Sequence, residues 1–295
     1  MASISTVGVL GAGLMGSGIA QVAAQSGFTT KVREVSEPLC QRGRGGIEKS
    51  LAKGVERGKV TADQRDQTLA RLSFTTTVAD LRDCDIVIEA VVEDLEVKNA
   101  LWKELDALCP AHTIFASNTS SLTIAAMAAA TTRPDRMVGL HFFNPVPVMK
   151  LVEVVRTVTT SPATFETAYE FAKRLGKEPI RAKDNSGFVV NLLLVPYLLD
   201  AITQLERGVA SVDDIDKGMQ LGTGYPMGPF TLLDFVGLDT TYKIAEIMFD
   251  EYRETRYAPP PLLKRMVLAG MYGRKSGKGF YDYAVDPPRV SDLGL

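Results

Sequence analysis

Two residues of this chain, His141 and Glu153, combine types and positions suited to acid–base chemistry. His141 falls near the end of an apolar run, 137–142, that is typical of a buried strand. Glu153 lies inside a β-branched run, where a carboxylate is costly to bury without a partner. A carboxylate that accepts from one imidazole nitrogen fixes the tautomer and raises the basicity of the other nitrogen. The pattern predicts either a structural pair or a general base with its orienting carboxylate, whereas His112 is expected in a surface loop.

A second candidate site is Gly11-Ala12-Gly13-Leu14-Met15-Gly16, which matches the G-x-G-x-x-G pattern of dinucleotide-binding folds. It directly follows a predicted strand and opens a predicted helix, which is the context that the pattern requires. Gly11 permits a tight turn, Gly13 lets backbone N–H groups approach a pyrophosphate, and Gly16 allows close packing of helix and strand. The alternative is an ordinary turn in a protein that binds no nucleotide.

Glu34 ends the next β-like run, where a carboxylate can hold the 2′-hydroxyl of an adenosine ribose. A carboxylate there repels a 2′-phosphate, so the sequence favours NAD over NADP. The neighbouring Arg33 leaves NADP possible, because an arginine can accommodate that phosphate.

Other polar residues have two possible roles. The segment 117–121 follows a predicted strand, and its hydroxyls either cap the next helix or face a ligand at the sheet edge. Asn191 interrupts an apolar helix and needs hydrogen-bond partners. A predicted helix carries a basic stripe at positions i, i+4 and i+8, which consists of Lys49, Lys53 and Arg57. This stripe is either a solvated helix surface or a binding site for a phosphorylated ligand.

The elements that must position these residues alternate short apolar runs with helical stretches. Predicted strands are 7–10, 30–35, 86–92, 113–116, 137–142 and 151–155. This order predicts an α/β fold, a Rossmann-type doubly wound and mostly parallel sheet, with a helical-hairpin insertion at about 37–72. Thr61 and Gln64 form a capping-box signature in that insertion. We place a domain boundary near residue 185 and predict an all-helical C-terminal domain over 186–295.

Composition excludes several classes of function. The chain has 295 residues, 45% hydrophobic and 23% charged, with a formal net charge of −2, so nucleic acid is not an expected partner. Its 3 cysteines form no CxxC pair, and we expect reduced thiols and no metal site. No apolar run reaches the ~20 residues that cross a bilayer. No targeting segment is evident, so a cytoplasmic protein is expected.

Six ordered segments give the chain a close resemblance to the L-3-hydroxyacyl-CoA dehydrogenase family, in particular to short-chain 3-hydroxybutyryl-CoA enzymes. They are Gly11–Ala20, Ser117–Leu122, His141–Glu153, Gly187–Asn191, Tyr225–Pro229 and Gly273–Tyr281. The resemblance implies NAD-dependent reversible oxidation of a short-chain (S)-3-hydroxyacyl-CoA, such as 3-hydroxybutyryl-CoA, to the 3-oxoacyl-CoA. It also implies an NAD-binding domain over 1–185 and a C-terminal domain over 186–295 that binds substrate and forms a homodimer.

The resemblance also implies roles for individual residues. His141 would be the general base, Glu153 its partner, and Ser120 and Asn191 polar groups that bind substrate. The cofactor contacts would come from the glycine motif, Glu34 and Ser120, and from Glu93, Lys98, Asn144 and Lys275. Coenzyme A would be bound by Ser50, Lys53 and Arg57.

Four positions depart from the family pattern. The family often has Asp at Glu34 and Lys at Arg57, and usually has Pro at Ser186 and Arg at Leu192. Two other functions stay open at this point: a β-hydroxyacid dehydrogenase that acts on a free small or sugar acid, and a non-catalytic NAD-binding relative.

Overall fold

The computed structural model describes residues 4–294, and the chain divides between Phe188 and Val189 into two compact units. The first unit contains the strands β1 (Thr6–Leu10), β2 (Thr29–Arg33), β3 (Leu72–Thr75), β4 (Ile86–Glu89), β5 (Ile114–Ser117), β6 (Met137–Phe142), β7 (Leu151–Arg156) and β8 (Glu178–Lys183). Its helices are α1 (Leu14–Gln25), α2 (Glu37–Glu56), α3 (Ala62–Ala70), α4 (Leu95–Leu108), α5 (Ile124–Ala128) and α6 (Pro162–Arg174). Short 3₁₀ turns lie at Val78–Leu81 and Pro134–Arg136.

The eight strands form one sheet in the order β3-β2-β1-β4-β5-β6-β7-β8. All neighbours are parallel except β6 and β7, which pair antiparallel. Every residue of β4, β5 and β6 is buried, as expected for strands covered by helices on both faces. The predicted doubly wound, mostly parallel sheet is therefore confirmed. The strand order reverses at β1, so the carboxyl ends of β1 and β4 border the crevice in which such sheets bind ligands.

Two strands of this sheet were not predicted, and both lie at its edges. In β3 only Leu72 is buried, and in β8 only Ala182 is buried. An edge strand contributes few residues to the core, so it lacks the continuous apolar run that indicates a central strand. The predictions also extended β2 and β4 too far, since these strands end at Arg33 and Glu89.

The predicted helical hairpin is confirmed as α2 and α3. The N–H of Gln64 donates to Thr61 Oγ1 at 3.1 Å, and the N–H of Thr61 donates to Gln64 Oε1 at 2.9 Å. This reciprocal capping box satisfies two of the N–H groups that have no partner within the helix. The longer helix, α2, buries Ile47 and Leu51 in the core of the first unit.

The second unit is helical, with α7 (Val190–Glu206), α8 (Val212–Thr223), α9 (Pro229–Val236), α10 (Leu238–Tyr252) and α11 (Pro261–Leu268). Short 3₁₀ turns lie at Thr255–Tyr257 and Arg274–Ser276. Its own core includes Ile202, Phe230 and Leu233. An unpredicted antiparallel pair of two-residue strands, β9 (Tyr281–Asp282) and β10 (Arg289–Val290), adds to the predicted helices. None of the helices in residues 4–294 combines the length and apolar character that a bilayer span requires.

Candidate active site

The two candidate acid–base residues lie directly opposite each other on neighbouring strands. His141 on β6 is the register partner of Glu153 on β7, and its Nδ1 lies 2.6 Å from Glu153 Oε2. The antiparallel pairing explains the spacing of the two residues, because the chain turns through 143–150 and returns. His141 is 6% exposed and Glu153 is fully buried, so the interaction is shielded from water. The structure thus brings together the two side chains that the sequence singled out.

This geometry fixes the tautomer of the imidazole. A carboxylate can only accept a hydrogen bond, so the Nδ1 atom carries the proton that Glu153 receives. The Nε2 atom then keeps its lone pair and can take a proton from a ligand. The rings of Phe143 and Phe188 flank the imidazole at centroid distances of 4.6 and 5.6 Å. A buried imidazole oriented by a buried carboxylate is the arrangement of a general base.

The glycine motif lies between β1 and α1 and fits a dinucleotide. Gly11 has a φ of +94°, a left-handed conformation that L side chains rarely adopt. A Cβ at Gly16 would lie 1.9 Å from the carbonyl oxygen of Gly11, so the helix can approach the loop only with glycine there. A Cβ at Gly13 would meet no atom within 4 Å, so this side of the loop is open. The exposed N-terminus of α1 can therefore receive a pyrophosphate.

Glu34 follows β2 directly and bonds to the glycine motif. Its Oε1 accepts from the N–H of Ala12 at 2.9 Å, and its Oε2 accepts from the N–H of Val35 at 2.8 Å. Its charge therefore lies beside the loop, where a 2′-phosphate on the adenosine would be repelled. The side chain of Arg33 bonds elsewhere, because its Nε donates to the carbonyl of Thr76 at 3.3 Å.

Lys98 and Glu93, which the resemblance linked to the cofactor, belong to a buried ion cluster centred on Glu89. The Lys98 ammonium lies 2.6 Å from Glu89 Oε1 and 3.0 Å from Glu93 Oε2. Burial alone would raise the pKa of the Glu93 carboxyl. The charge of Lys98 and the hydrogen bonds from Thr119, Lys98 and Ser121 outweigh that effect and hold this pKa below its usual range.

Sequence reasoning missed Glu89, although a signal for it was present. It ends an apolar run, just as Glu153 lies within one, and both carboxylates are fully buried. The argument that a carboxylate in such a run requires a partner applies equally to both residues.

Asn118 ties together the strand ends that carry these groups. Its backbone N–H donates to the carbonyl of Glu89 at 2.8 Å, and its Oδ1 accepts from the N–H of Phe142 at 2.9 Å. The half-buried Ser120 follows two residues later in the same segment.

The helix α5, which follows this segment, is capped by Asp184. The N–H groups of Ile124 and Ala125 donate to the Asp184 carboxylate, both at 2.7 Å.

A cavity of about 430 Å³ brings several candidate ligand contacts together in the first unit. The residues that line it include Gly13, Leu14, Gly18, Gln21, Arg42, Gly46, Ser50, Asn144 and Val146. The candidate cofactor contact Asn144 and the candidate coenzyme A contact Ser50 thus share one cavity. Lys53 and Arg57 are exposed and do not line this cavity, whereas Arg42, which sequence reasoning missed, contributes to its wall.

The loop that forms one wall of this cavity is held by Lys177. Its buried ammonium donates to the carbonyls of Val146 at 2.5 Å and Met149 at 2.8 Å. Burial lowers the pKa of this lysine. Carbonyl partners replace part of its hydration, which explains how a cation is accommodated at 8% exposure.

The second unit contributes Asn191 and Lys275 to the candidate set. Asn191 is half-buried on the first turn of α7. Lys275 lies in the 3₁₀ turn Arg274–Ser276 and forms an ion pair with Asp239. Buried Asp234 holds the chain beyond this turn, because it accepts from the N–H groups of Phe280 and Tyr281, both at 2.9 Å.

Comparisons with known proteins agree with this architecture. The family model described as "3-hydroxyacyl-CoA dehydrogenase, NAD binding domain" matches residues 6–185. The model described as "3-hydroxyacyl-CoA dehydrogenase, C-terminal domain" matches residues 187–283.

Individual relatives are similar over nearly their whole length. The chain is 54% identical over 283 residues to a 3-hydroxybutyryl-CoA dehydrogenase of Mycobacterium tuberculosis, which covers 95% of this chain and 99% of the relative. It is 50% identical over 287 residues to the human mitochondrial hydroxyacyl-coenzyme A dehydrogenase, and the match covers 95% of this chain and 91% of the relative. A crystal structure of (S)-3-hydroxybutyryl-CoA dehydrogenase from Ralstonia eutropha superposes with a TM-score of 0.92 at 43% identity, covering 95% and 99%. The chain belongs to the NAD-dependent 3-hydroxyacyl-CoA dehydrogenase family.

Proposed function

We propose that this protein catalyses the reversible, NAD-dependent oxidation of a short-chain (S)-3-hydroxyacyl-CoA, such as 3-hydroxybutyryl-CoA, to the 3-oxoacyl-CoA. The observation that carries the proposal is the buried His141–Glu153 pair at the carboxyl end of β6, in the same unit as a glycine loop that fits the cofactor. The names of the relatives support the substrate class.

In this mechanism the proton is handled by His141. Its Nε2 takes the proton of the substrate 3-hydroxyl, while Nδ1 keeps its hydrogen bond to Glu153. The imidazole becomes an imidazolium in this step, and the fixed carboxylate stabilises the new charge. When bound, NAD supplies the nicotinamide that accepts the hydride from C3. In the reductive direction the imidazolium of His141 donates its Nε2 proton to the 3-oxygen.

Ligand contacts are proposed for residues of each unit. Ser120 and Asn191 would orient the substrate oxygens. The glycine motif and Glu34 would hold the cofactor, together with Glu93, Lys98, Asn144 and Lys275. Ser50, Lys53 and Arg57 would contact coenzyme A, and the position of Arg42 in the cavity wall adds it to this set.

The second unit is proposed to bind substrate and to form a homodimer. Its surface carries several large apolar side chains that a monomer would leave in water, including Leu193 at 66% and Leu221 at 78% exposure. Sedimentation velocity should give the mass of a dimer. A substitution of Leu193 by Glu should shift the mass toward that of one chain if this surface forms the interface.

The reaction is tested by the absorbance of reduced nicotinamide with acetoacetyl-CoA, with NADH and NADPH in parallel and free acetoacetate as control. Rapid oxidation of NADH with the thioester alone is expected. His141→Ala should lose about 10²–10⁴-fold in turnover, the usual contribution of general acid–base catalysis, while it still binds NADH. Activity with a free 3-oxo acid but not its thioester would favour a β-hydroxyacid dehydrogenase. Nucleotide binding with no turnover of any 3-oxo substrate would favour a non-catalytic protein.

A further inference from the structure

The ion cluster in the first unit, formed by Glu89, Lys98 and Glu93, has an unusual charge for a buried group. The side chains of Lys98 and Glu89 are 1% and 0% exposed, and that of Glu93 is 24% exposed. Two carboxylates share one ammonium, so the members of the cluster sum to a charge of −1. A buried cluster that leaves a net charge is costly, and this cost requires an explanation beyond stability.

Glu89 fixes the position of this charge. Besides Lys98, its Oε1 accepts from the N–H of Val91 at 2.8 Å, and its Oε2 accepts from Ser117 Oγ at 2.6 Å. Its backbone belongs to β4, which is paired on both sides, to β1 and to β5. The charge is therefore held in place before any ligand binds, and such preorganised groups act strongly on a charge that appears nearby.

On the proposed function, on which this inference rests, the cluster would lie on the side of the sheet that receives the nicotinamide. Glu34, at the end of β2, marks the side of β1 that receives the adenosine. A dinucleotide bound across the crevice would place its other half over β4–β6, where Glu89 and His141 lie. The nicotinamide ring is cationic in NAD⁺ and neutral in NADH, so the two forms differ by one unit of charge at this place.

We propose that Glu89 anchors a net-negative cluster that shifts the binding preference of this site toward the oxidised cofactor. It acts as a positioning residue, because it holds Lys98 and completes the charge without touching the reacting atoms. A unit charge within roughly 8 Å, at an effective dielectric constant of about 20, changes a binding ratio by about tenfold or more. Relative to the same site with a neutral cluster, bound NAD⁺ is therefore stabilised over bound NADH, and the equilibrium between the two bound forms moves toward NAD⁺.

The test is direct calorimetric titration with NAD⁺ and with NADH, in the absence of any acyl-CoA. In Glu89→Gln the cluster becomes neutral, and the ratio of the dissociation constant for NAD⁺ to that for NADH should rise about tenfold. Ser117→Ala is the matched control, because it removes a hydrogen bond from the same carboxylate and leaves the charge. It should leave the ratio within about twofold of the parent value.

A merely structural role predicts a different result. If Glu89→Gln weakens both nucleotides by the same factor, or if Ser117→Ala moves the ratio as much, the proposal is wrong. Should Glu89→Gln fail to fold, Glu93→Gln makes the same change of charge at a more exposed side chain, and an unchanged ratio there also overturns it.

The two proposals fail in distinguishable ways. A protein that binds both nucleotides but does not reduce acetoacetyl-CoA contradicts the proposed substrate and leaves the ratio measurable. A protein that binds neither nucleotide contradicts the cofactor site and this proposal together.

Discussion

Replacing Glu153 by Gln tests whether this carboxylate works in catalysis or only in folding. The side chain is fully buried, and its Oε2 contacts Nδ1 of His141 at 2.6 Å. Gln has nearly the same shape, so the packing around it should persist while the charge is lost. The imidazole then has no fixed negative partner when it becomes an imidazolium.

The expected loss follows from Coulomb's law. Two unit charges whose centres are about 4 Å apart attract by about 4 kcal/mol at an effective dielectric constant of about 20. At about 1.36 kcal/mol per decade, the full loss corresponds to about 10³-fold in turnover. The Gln carbonyl can still accept from Nδ1 in one amide orientation, so we expect a loss of about 10²–10³-fold.

The assay measures kcat and KM for acetoacetyl-CoA with NADH, together with the NADH dissociation constant from fluorescence. An interaction made in the transition state should lower kcat and kcat/KM by similar factors and leave NADH binding within about twofold. Glu166→Gln is the matched control, since Glu166 makes an exposed ion pair with Arg181 at 2.6 Å and should leave kcat unchanged. A folded Glu153→Gln enzyme within about threefold of the parent kcat would refute the reasoning, as would a loss confined to thermal stability.

Three further predictions concern other regions of the molecule. A variant in which Gln replaces Lys49, Lys53 and Arg57 of the basic stripe should have a raised KM for acetoacetyl-CoA, and the increase should be larger at low salt. The KM for a short thioester that lacks the nucleotide should not change. Burial raises the pKa of the Cys84 thiol to about 12 and that of Cys109 to about 11, so an aromatic disulfide reagent should label these two residues only after denaturation. Burial alone would raise the pKa of Asp106, but hydrogen bonds from Thr132 and Arg133 outweigh it and hold this pKa low. The stabilising contribution of Asp106 is thus fully present above its unfolded pKa of about 3.9 and is lost as the pH falls through the lower folded pKa. Asp106→Asn should therefore reduce the free energy of unfolding by about 1–3 kcal/mol at neutral pH and by less in acid.

The central part of the fold could be predicted because its physical signals are local. Parallel strands buried on both faces appear as apolar runs, and the Thr61–Gln64 box marks the start of a helix within four residues. The edge strands β3 and β8 depend on pairing with β2 and β7 rather than on their own apolar residues, so no local pattern indicates them.

The candidate site could be predicted in part, for a related reason. His141 and Glu153 were paired by chemical need, but their direct opposition depends on the antiparallel register of β6 and β7. Glu89 gave the same sequence signal as Glu153, yet its partner Lys98 is on a helix nine positions later and no histidine lies near it in the sequence. Lys177 was missed because its partners are backbone carbonyls, which carry no sequence signal.

The two buried carboxylates of the first unit have different partners, and the difference suggests a division of labour. Glu153 faces an imidazole, whose charge can change during a reaction, whereas Glu89 faces the ammonium of Lys98. The pair of His141 and Glu153 can therefore take up and release a proton, whereas the charges of Glu89 and Lys98 stay fixed and provide a constant electrostatic field. Asn118 bonds both to the carbonyl of Glu89 and to the N–H of Phe142, next to His141. Because this link runs through the sheet backbone, a change in one side chain should leave the other pair in place. Glu89→Gln should therefore keep the contact between His141 and Glu153, and should not show the loss of turnover of about 10²–10³-fold that Coulomb's law predicts for Glu153→Gln.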